Sequence, residues 1–148
     1  MASILQKCHE GKDRNRMILS GDERASWVAQ KTRKAQTALN EALGNIAMQY
    51  WDTAANRLYY ALFHIAEALL IKTGLSVYTH AGVIHLLAEH FVRSGKLSRE
   101  DGRLYAKVFN LSQTSDYGEW DVLAREDVEA CVEPVQTLVA KIIALLDG

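Results

Sequence analysis

The sequence predicts an all-α fold, an up-and-down bundle of four to five helices. Pro134 is the only proline in 148 residues, and helix-favouring Ala and Leu are abundant. Apolar residues recur at separations of three and four over several long stretches, the period of a helix face. One stretch, Trp51 to Ile71, is apolar or small around most of its circumference. Such a helix belongs at the centre of its domain.

Each element follows from local signals. Residues 1–21 are polar, charged and without a period, and read as a flexible leader closed by Gly21. The bundle is expected over residues 22–148. Its first helix is expected from Asp22, a plausible N-cap, to Ala47. Leu39, Ala42, Leu43 and Ile46 form its apolar stripe, continued loosely by Trp27, Lys31 and Ala35. Arg24, Lys31, Arg33, Lys34 and Glu41 read as a solvated face. A short link at Met48–Tyr50 leads to a second helix from Trp51 to Thr73, with Gly74 suited to close it. Trp51, Ala55, Leu58, Leu62, Ile65 and Leu69 give it a bundle-type seam. Thr79 is placed to cap a third helix reaching Ser94, and Gly95 to end it. Ser98 and Asp101 make a capping-box variant that opens a fourth, from Arg99 to Leu111, with Leu104, Val108 and Leu111 buried. Residues 112–123 read as a polar, aromatic loop. A fifth helix starts near Arg125 and keeps its rhythm through Val128, Cys131, Val135, Leu138, Ile142 and Leu145. Pro134 should kink that helix or mark its true start.

Composition narrows the function classes. A net charge of −1 gives no global basic field for nucleic acid, although a local basic patch is compatible with it. Cys8 and Cys131 lie far apart and fit no metal or redox spacing, so two reduced thiols and a cytoplasmic location are expected. No apolar run approaches the roughly 20 residues of a membrane span. His80, His85 and His90 recur every five residues, which turns successive side chains by about 140°. They do not converge, and neither a metal nor a cofactor is expected. Gly-rich phosphate loops and Ser–His–Asp arrangements are absent.

The candidate chemistry lies on the second helix. Arg57, Tyr60, His64 and Glu67 follow at spacings of three, four and three, one narrow polar stripe on an otherwise apolar helix. Arg57 and His64 are two turns apart, roughly 10 Å along the axis, so both can reach one extended ligand. An arginine clamps phosphate, and an imidazole shuttles protons near neutral pH. Together they are the minimum for metal-independent RNA cleavage. A purely structural network is the competing reading, with Arg57 paired to Asp116, Glu67 or a neighbouring chain and His64 satisfied in the core. Tyr59, Phe63 and Tyr78 could stack a base, but aromatics at helical spacing more often fill a core.

The string Ala55-Asn-Arg57-Leu-Tyr59-Tyr60-Ala61-Leu-Phe63-His64 resembles the second helix of the HEPN family, in the branch that reads Arg-x-x-Tyr-Tyr-Ala-x-Phe-His. The match continues through Gly74, His80-x-Gly82-Val83, Phe91-Val92, Gly95-Lys96-Leu97 and Leu111-x-Gln113-x-x-Asp116-Tyr117, over roughly residues 25–145. The resemblance implies an up-and-down bundle that dimerises. It also implies an association with a minimal nucleotidyltransferase as a toxin–antitoxin or nucleotide-associated pair. Many members are metal-independent endoribonucleases carrying Arg-x(4–6)-His. The branch usually has an arginine where this chain has Ser112, so Ser112→Arg is expected to raise RNA affinity. The resulting expectation is a homodimer that binds nucleotide, RNA or a nucleotidyltransferase partner through Tyr60, His80, Gln113, Asp116 and Tyr117. The alternative is an endoribonuclease with His64 as acid/base and Arg57 as phosphate clamp.

Overall fold

The computed structural model describes residues 19–75, 79–117 and 125–148, without the side chains of residues 115–117. Their helices are, in order, α1 (Gly21–Ala47), α2 (Trp51–Lys72), α3 (His80–Leu87) continued by a π-type segment (Ala88–Val92), α4 (Arg99–Tyr117) and α5 (Arg125–Asp147). The leader expected over residues 1–21 lies, up to residue 18, outside the described residues, as do Cys8, Tyr78 and Trp120.

Helix α1 starts one residue earlier than expected because Ser20, not Asp22, caps it. The Ser20 hydroxyl accepts from the Glu23 amide at 3.1 Å, and the Glu23 carboxylate accepts from the Ser20 amide at 3.4 Å. This reciprocal box satisfies two otherwise orphaned donors. The chain then reverses through Gln49, at φ 63°, and α2 packs back along α1. The Arg24 guanidinium donates to the Ile71 carbonyl at 2.9 Å, tying the start of α1 to the end of α2.

Helix α2 touches every other helix of the described bundle. Its buried set includes Ala55, Leu58, Leu62, Ile65 and Leu69 of the expected seam, whereas Trp51 at its start is only partly covered. Ala54, Ala61, Ala66 and Ala68 are also buried, and their small side chains let neighbouring helices approach closely. Gly74 closes α2 at φ 84°, a conformation that strains residues with a Cβ.

Thr79 caps α3 as expected, its hydroxyl accepting from the Gly82 amide at 2.9 Å. The uninterrupted helix expected to Ser94 widens after Leu87, and the Arg93 amide donates five residues back to the Ala88 carbonyl at 3.0 Å. A single widened turn barely disturbs a hydrophobic period, so the sequence does not mark it. Gly95, at φ 83°, ends the segment. The Ser98–Asp101 box opens α4, with bonds of 2.8 and 3.0 Å.

Helix α4 runs to Tyr117, six residues beyond the expected end. Its buried line is Tyr105, Val108 and Ser112, and Leu104 and Leu111 are only partly covered. The shift by one residue turns Tyr105 onto Tyr59, with rings edge-on at 5.9 Å. Helix α5 starts at Arg125 and passes through Pro134, which is therefore not its start. Proline leaves the carbonyl four residues back without its bond. Here that residue is Ala130, which is exposed like Pro134 itself, so water can satisfy the carbonyl. No helix among the described residues is long and apolar enough to cross a membrane.

Candidate phosphate-binding cleft

The polar stripe of α2 opens on a cleft against α1 of about 500 Å³, lined by Gln30, Arg33, Lys34, Thr37, Ala38, Glu41, Arg57 and His64. Arg57 and His64 thus meet in one cavity within a single chain. Three cations and one carboxylate face it, a local positive bias on a chain of net charge −1.

Arg57 is held by its neighbour. Asn56 Oδ1 accepts from Arg57 Nε at 3.0 Å and from Nη2 at 2.6 Å. Arg57 Nη1 lies 3.8 Å from Glu41 Oε1, and Cζ sits 5.0 Å from the centre of the Tyr60 ring. The Arg57 side chain remains 29% exposed, so its charge is available to a ligand. The pairing with Glu67 considered for Arg57 does not occur, because Glu67 has two other partners. The Asp116 side chain lies outside the described residues.

Beneath the cleft is a charged relay. His64 Nδ1 is 2.9 Å from Glu67 Oε1, and Glu67 Oε2 is 3.3 Å from Lys31 Nζ. Both ends of the carboxylate are thereby engaged in a site about nine-tenths buried, which is how a buried charge becomes tolerable. The ring nitrogen of His64 that Glu67 does not engage is Nε2.

The far side of Tyr60 carries an aromatic cluster. His80 stacks on Phe63 with ring centres 4.4 Å apart and planes 30° from parallel. The Tyr59 hydroxyl meets His80 Nδ1 at 2.5 Å. Burial pushes the Tyr59 phenol up to about 12, so it stays protonated and donates, and the hydrogen of a neutral His80 ring then sits on Nε2. The Tyr105 hydroxyl is buried with no well-formed hydrogen bond, and burial raises it well above the ordinary tyrosine range. Tyr59 is therefore core, whereas Phe63 and Tyr60 are only partly covered.

The remaining expected site residues are dispersed. Gln113 is partly buried on α4, and the side chains of Asp116 and Tyr117 lie outside the described residues. Ser112 is buried at 1% exposure and its hydroxyl donates to the Phe109 carbonyl at 2.7 Å. The expected gain from Ser112→Arg is therefore corrected, because a guanidinium there would enter the core instead of meeting RNA. Among the described residues, no group of three or more His, Cys, Asp or Glu is placed to hold a metal.

Most of the cleft escapes sequence reasoning, because six of its eight lining residues are on α1. Arg33, Lys34 and Glu41 read there as a solvated face, and Gln30 and Thr37 do not stand out. Residues 30, 33, 34, 37 and 41 share one helical stripe, and that period is the signal that could have found them. Lys31, in register with buried Ala35, Ala38 and Ala42, marks where α1 buries a charge.

Comparison with known proteins agrees with this architecture. The model of the HEPN domain matches residues 28–144. The chain belongs to the HEPN family. A UPF0332 protein of Thermotoga maritima is 31% identical over 85% of this chain and 96% of its own length. A UPF0332 protein of Archaeoglobus fulgidus is 30% identical over 75% of this chain and 94% of its own. A protein of Methanocaldococcus jannaschii named "Putative toxin MJ0605" is 37% identical over 63% of this chain and 68% of its own length. This HEPN chain thus has toxin-named relatives as well as relatives whose names carry no function.

Proposed function

We propose that this HEPN protein is a cytoplasmic homodimer that binds the phosphates of RNA or a nucleotide in the α1–α2 cleft, as one half of a toxin–antitoxin-like pair with a nucleotidyltransferase. The observation that carries the reading is the convergence of Arg33, Lys34, Arg57 and His64 on one open cavity of about 500 Å³. An exposed guanidinium already oriented by Asn56 loses little freedom on meeting phosphate, and its fork suits two phosphate oxygens. The toxin names of the M. jannaschii relatives support the pairing. Binding of a fluorescent single-stranded RNA and of inorganic polyphosphate tests this reading. Arg57→Ala should weaken both about tenfold and lower the salt slope by roughly 0.7 for each phosphate it no longer neutralises. Undiminished binding by an Arg33→Ala/Lys34→Ala/Arg57→Ala variant rejects it.

A second reading, metal-independent endoribonuclease, is favoured by the Glu67 contact to His64. A carboxylate on Nδ1 fixes the ring's orientation and leaves Nε2 as the atom that can exchange a proton with substrate. Arg57 would then stabilise the charge developing on the phosphate. Incubation with total RNA in EDTA separates binder from nuclease. Weak or no cleavage is expected of the isolated protein, and robust cleavage lost in His64→Ala would establish the nuclease.

A further inference from the structure

Aromatic rings continue from Arg57 beyond the cleft. Tyr60, in contact with the Arg57 guanidinium, presents its ring edge-on to His80 at 6.0 Å. Phe63 backs His80 at 4.4 Å and also lies 5.6 Å from His64. Laid end to end, those two separations put the imidazole centres at most about 10 Å apart. His80 is exposed, yet it is held on one face by Phe63 and at Nδ1 by the Tyr59 hydroxyl. Exposed side chains ordinarily keep their rotamer freedom. Here a planar ring has given it up while remaining open to solvent, one aromatic ring away from the Arg57 guanidinium.

We infer that His80, backed by Phe63, is a stacking platform for one unpaired nucleobase of a single-stranded RNA whose neighbouring phosphates lie in the Arg57 cleft. The inference rests on the phosphate-binding reading of that cleft and adds a subsite that selects for an unstacked base. A base within a duplex has both faces covered by its neighbours, whereas a splayed base offers a face to an aromatic ring. The immobilised ring stacks at small further entropic cost. Its Nε2 hydrogen adds a donor for a base acceptor, which an aliphatic surface would not provide.

Fluorescence anisotropy distinguishes the two subsites. The probes are a single-stranded 12-mer RNA, the same strand in a duplex, and an abasic ribose-phosphate strand of equal length. His80→Ala should weaken the single strand about tenfold, leave the abasic strand unchanged, and remove the preference for single strand over duplex. His80→Phe should restore the preference. Because that change strands the buried Tyr59 hydroxyl, Tyr59→Phe/His80→Phe is measured beside it, with folding followed by circular dichroism. Equal loss for the normal and abasic strands in His80→Ala overturns the platform, as does failure of both phenylalanine variants to restore binding while folded. Binding that depends on His80 but not on Arg57 supports the platform and rejects the phosphate cleft. Absence of binding by every strand at low salt overturns both.

Discussion

Arg57 and Lys31 are both cations on the α1–α2 interface, yet burial separates their roles. Arg57 makes one long ion pair to Glu41, whose side chain is 52% exposed, and such pairs contribute about 0–1 kcal/mol. Arg57→Ala should therefore leave thermal stability nearly unchanged while weakening anion binding. Lys31, with only 11% of its side chain exposed, faces a Glu67 equally buried. Removing Lys31 leaves the buried Glu67 carboxylate without its lysine and held by His64 alone, so Lys31→Met should destabilise by about 3 kcal/mol in urea unfolding. Lys31→Met/Glu67→Gln should recover much of that loss, because no buried charge remains unpaired. A double variant less stable than the single would refute the pairing argument. The Arg57–His64 constellation was legible in the sequence because both residues interrupt an apolar helix. Their shared cavity was not, because its other wall comes from α1.

At the scale of elements, α4 shows how local chemistry and tertiary contact combine. Ser98 and Asp101 cap its start, and Lys141 of α5 reaches Asp101 Oδ2 at 2.5 Å. Burial alone would raise the Asp101 carboxyl, but hydrogen bonds from Lys141 and from the Ser98 backbone and hydroxyl outweigh it and hold the group below its ordinary value. A depressed folded value means stability that is present above about pH 4, the unfolded carboxyl range, and lost as pH falls through the folded value. The melting temperature should drop as pH falls below about 4, and Asp101→Asn should flatten that acid limb. An unchanged limb in Asp101→Asn would show that the carboxylate is not linked to folding. The caps at Thr79 and Ser98 and the stop at Gly95 were legible, because each depends on residues within a few positions. Pro134 was not, because whether proline disrupts a helix depends on where the freed carbonyl points.

For the whole molecule, the resemblance to the HEPN family implied a dimer, and α2, apolar around most of its circumference, is the first element to consider for its interface. The chain's own α1, α3, α4 and α5 already bury most of that helix. Among the described residues, the large apolar side chains left exposed are Leu43 near the end of α1 and Met48 and Tyr50 in the turn that follows, at 38, 63 and 56%. Light scattering at micromolar concentration should report about twice the mass of 16.6 kDa. Met48→Lys/Tyr50→Lys should shift the particle toward monomer, since charge is strongly disfavoured in an interface core. A monomer mass for the unaltered protein would remove dimerisation from the proposed function.

The sequence by itself determined the helical class, the centrality of α2, the polar stripe upon it and the likeness to the HEPN family. Periodicity, capping pairs and joined motifs all act over short separations along the chain, so they survive without coordinates. Only the tertiary structure decided that Glu67 belongs to Lys31 and His64 rather than to Arg57. Only it showed that Ser112 is core, that His80 is held by Tyr59 and Phe63, and that α1 supplies six of the eight residues lining the cleft. Each of those outcomes depends on which helix faces which and at what rotation. That choice is made by packing across the bundle, between residues that a one-dimensional period leaves unrelated.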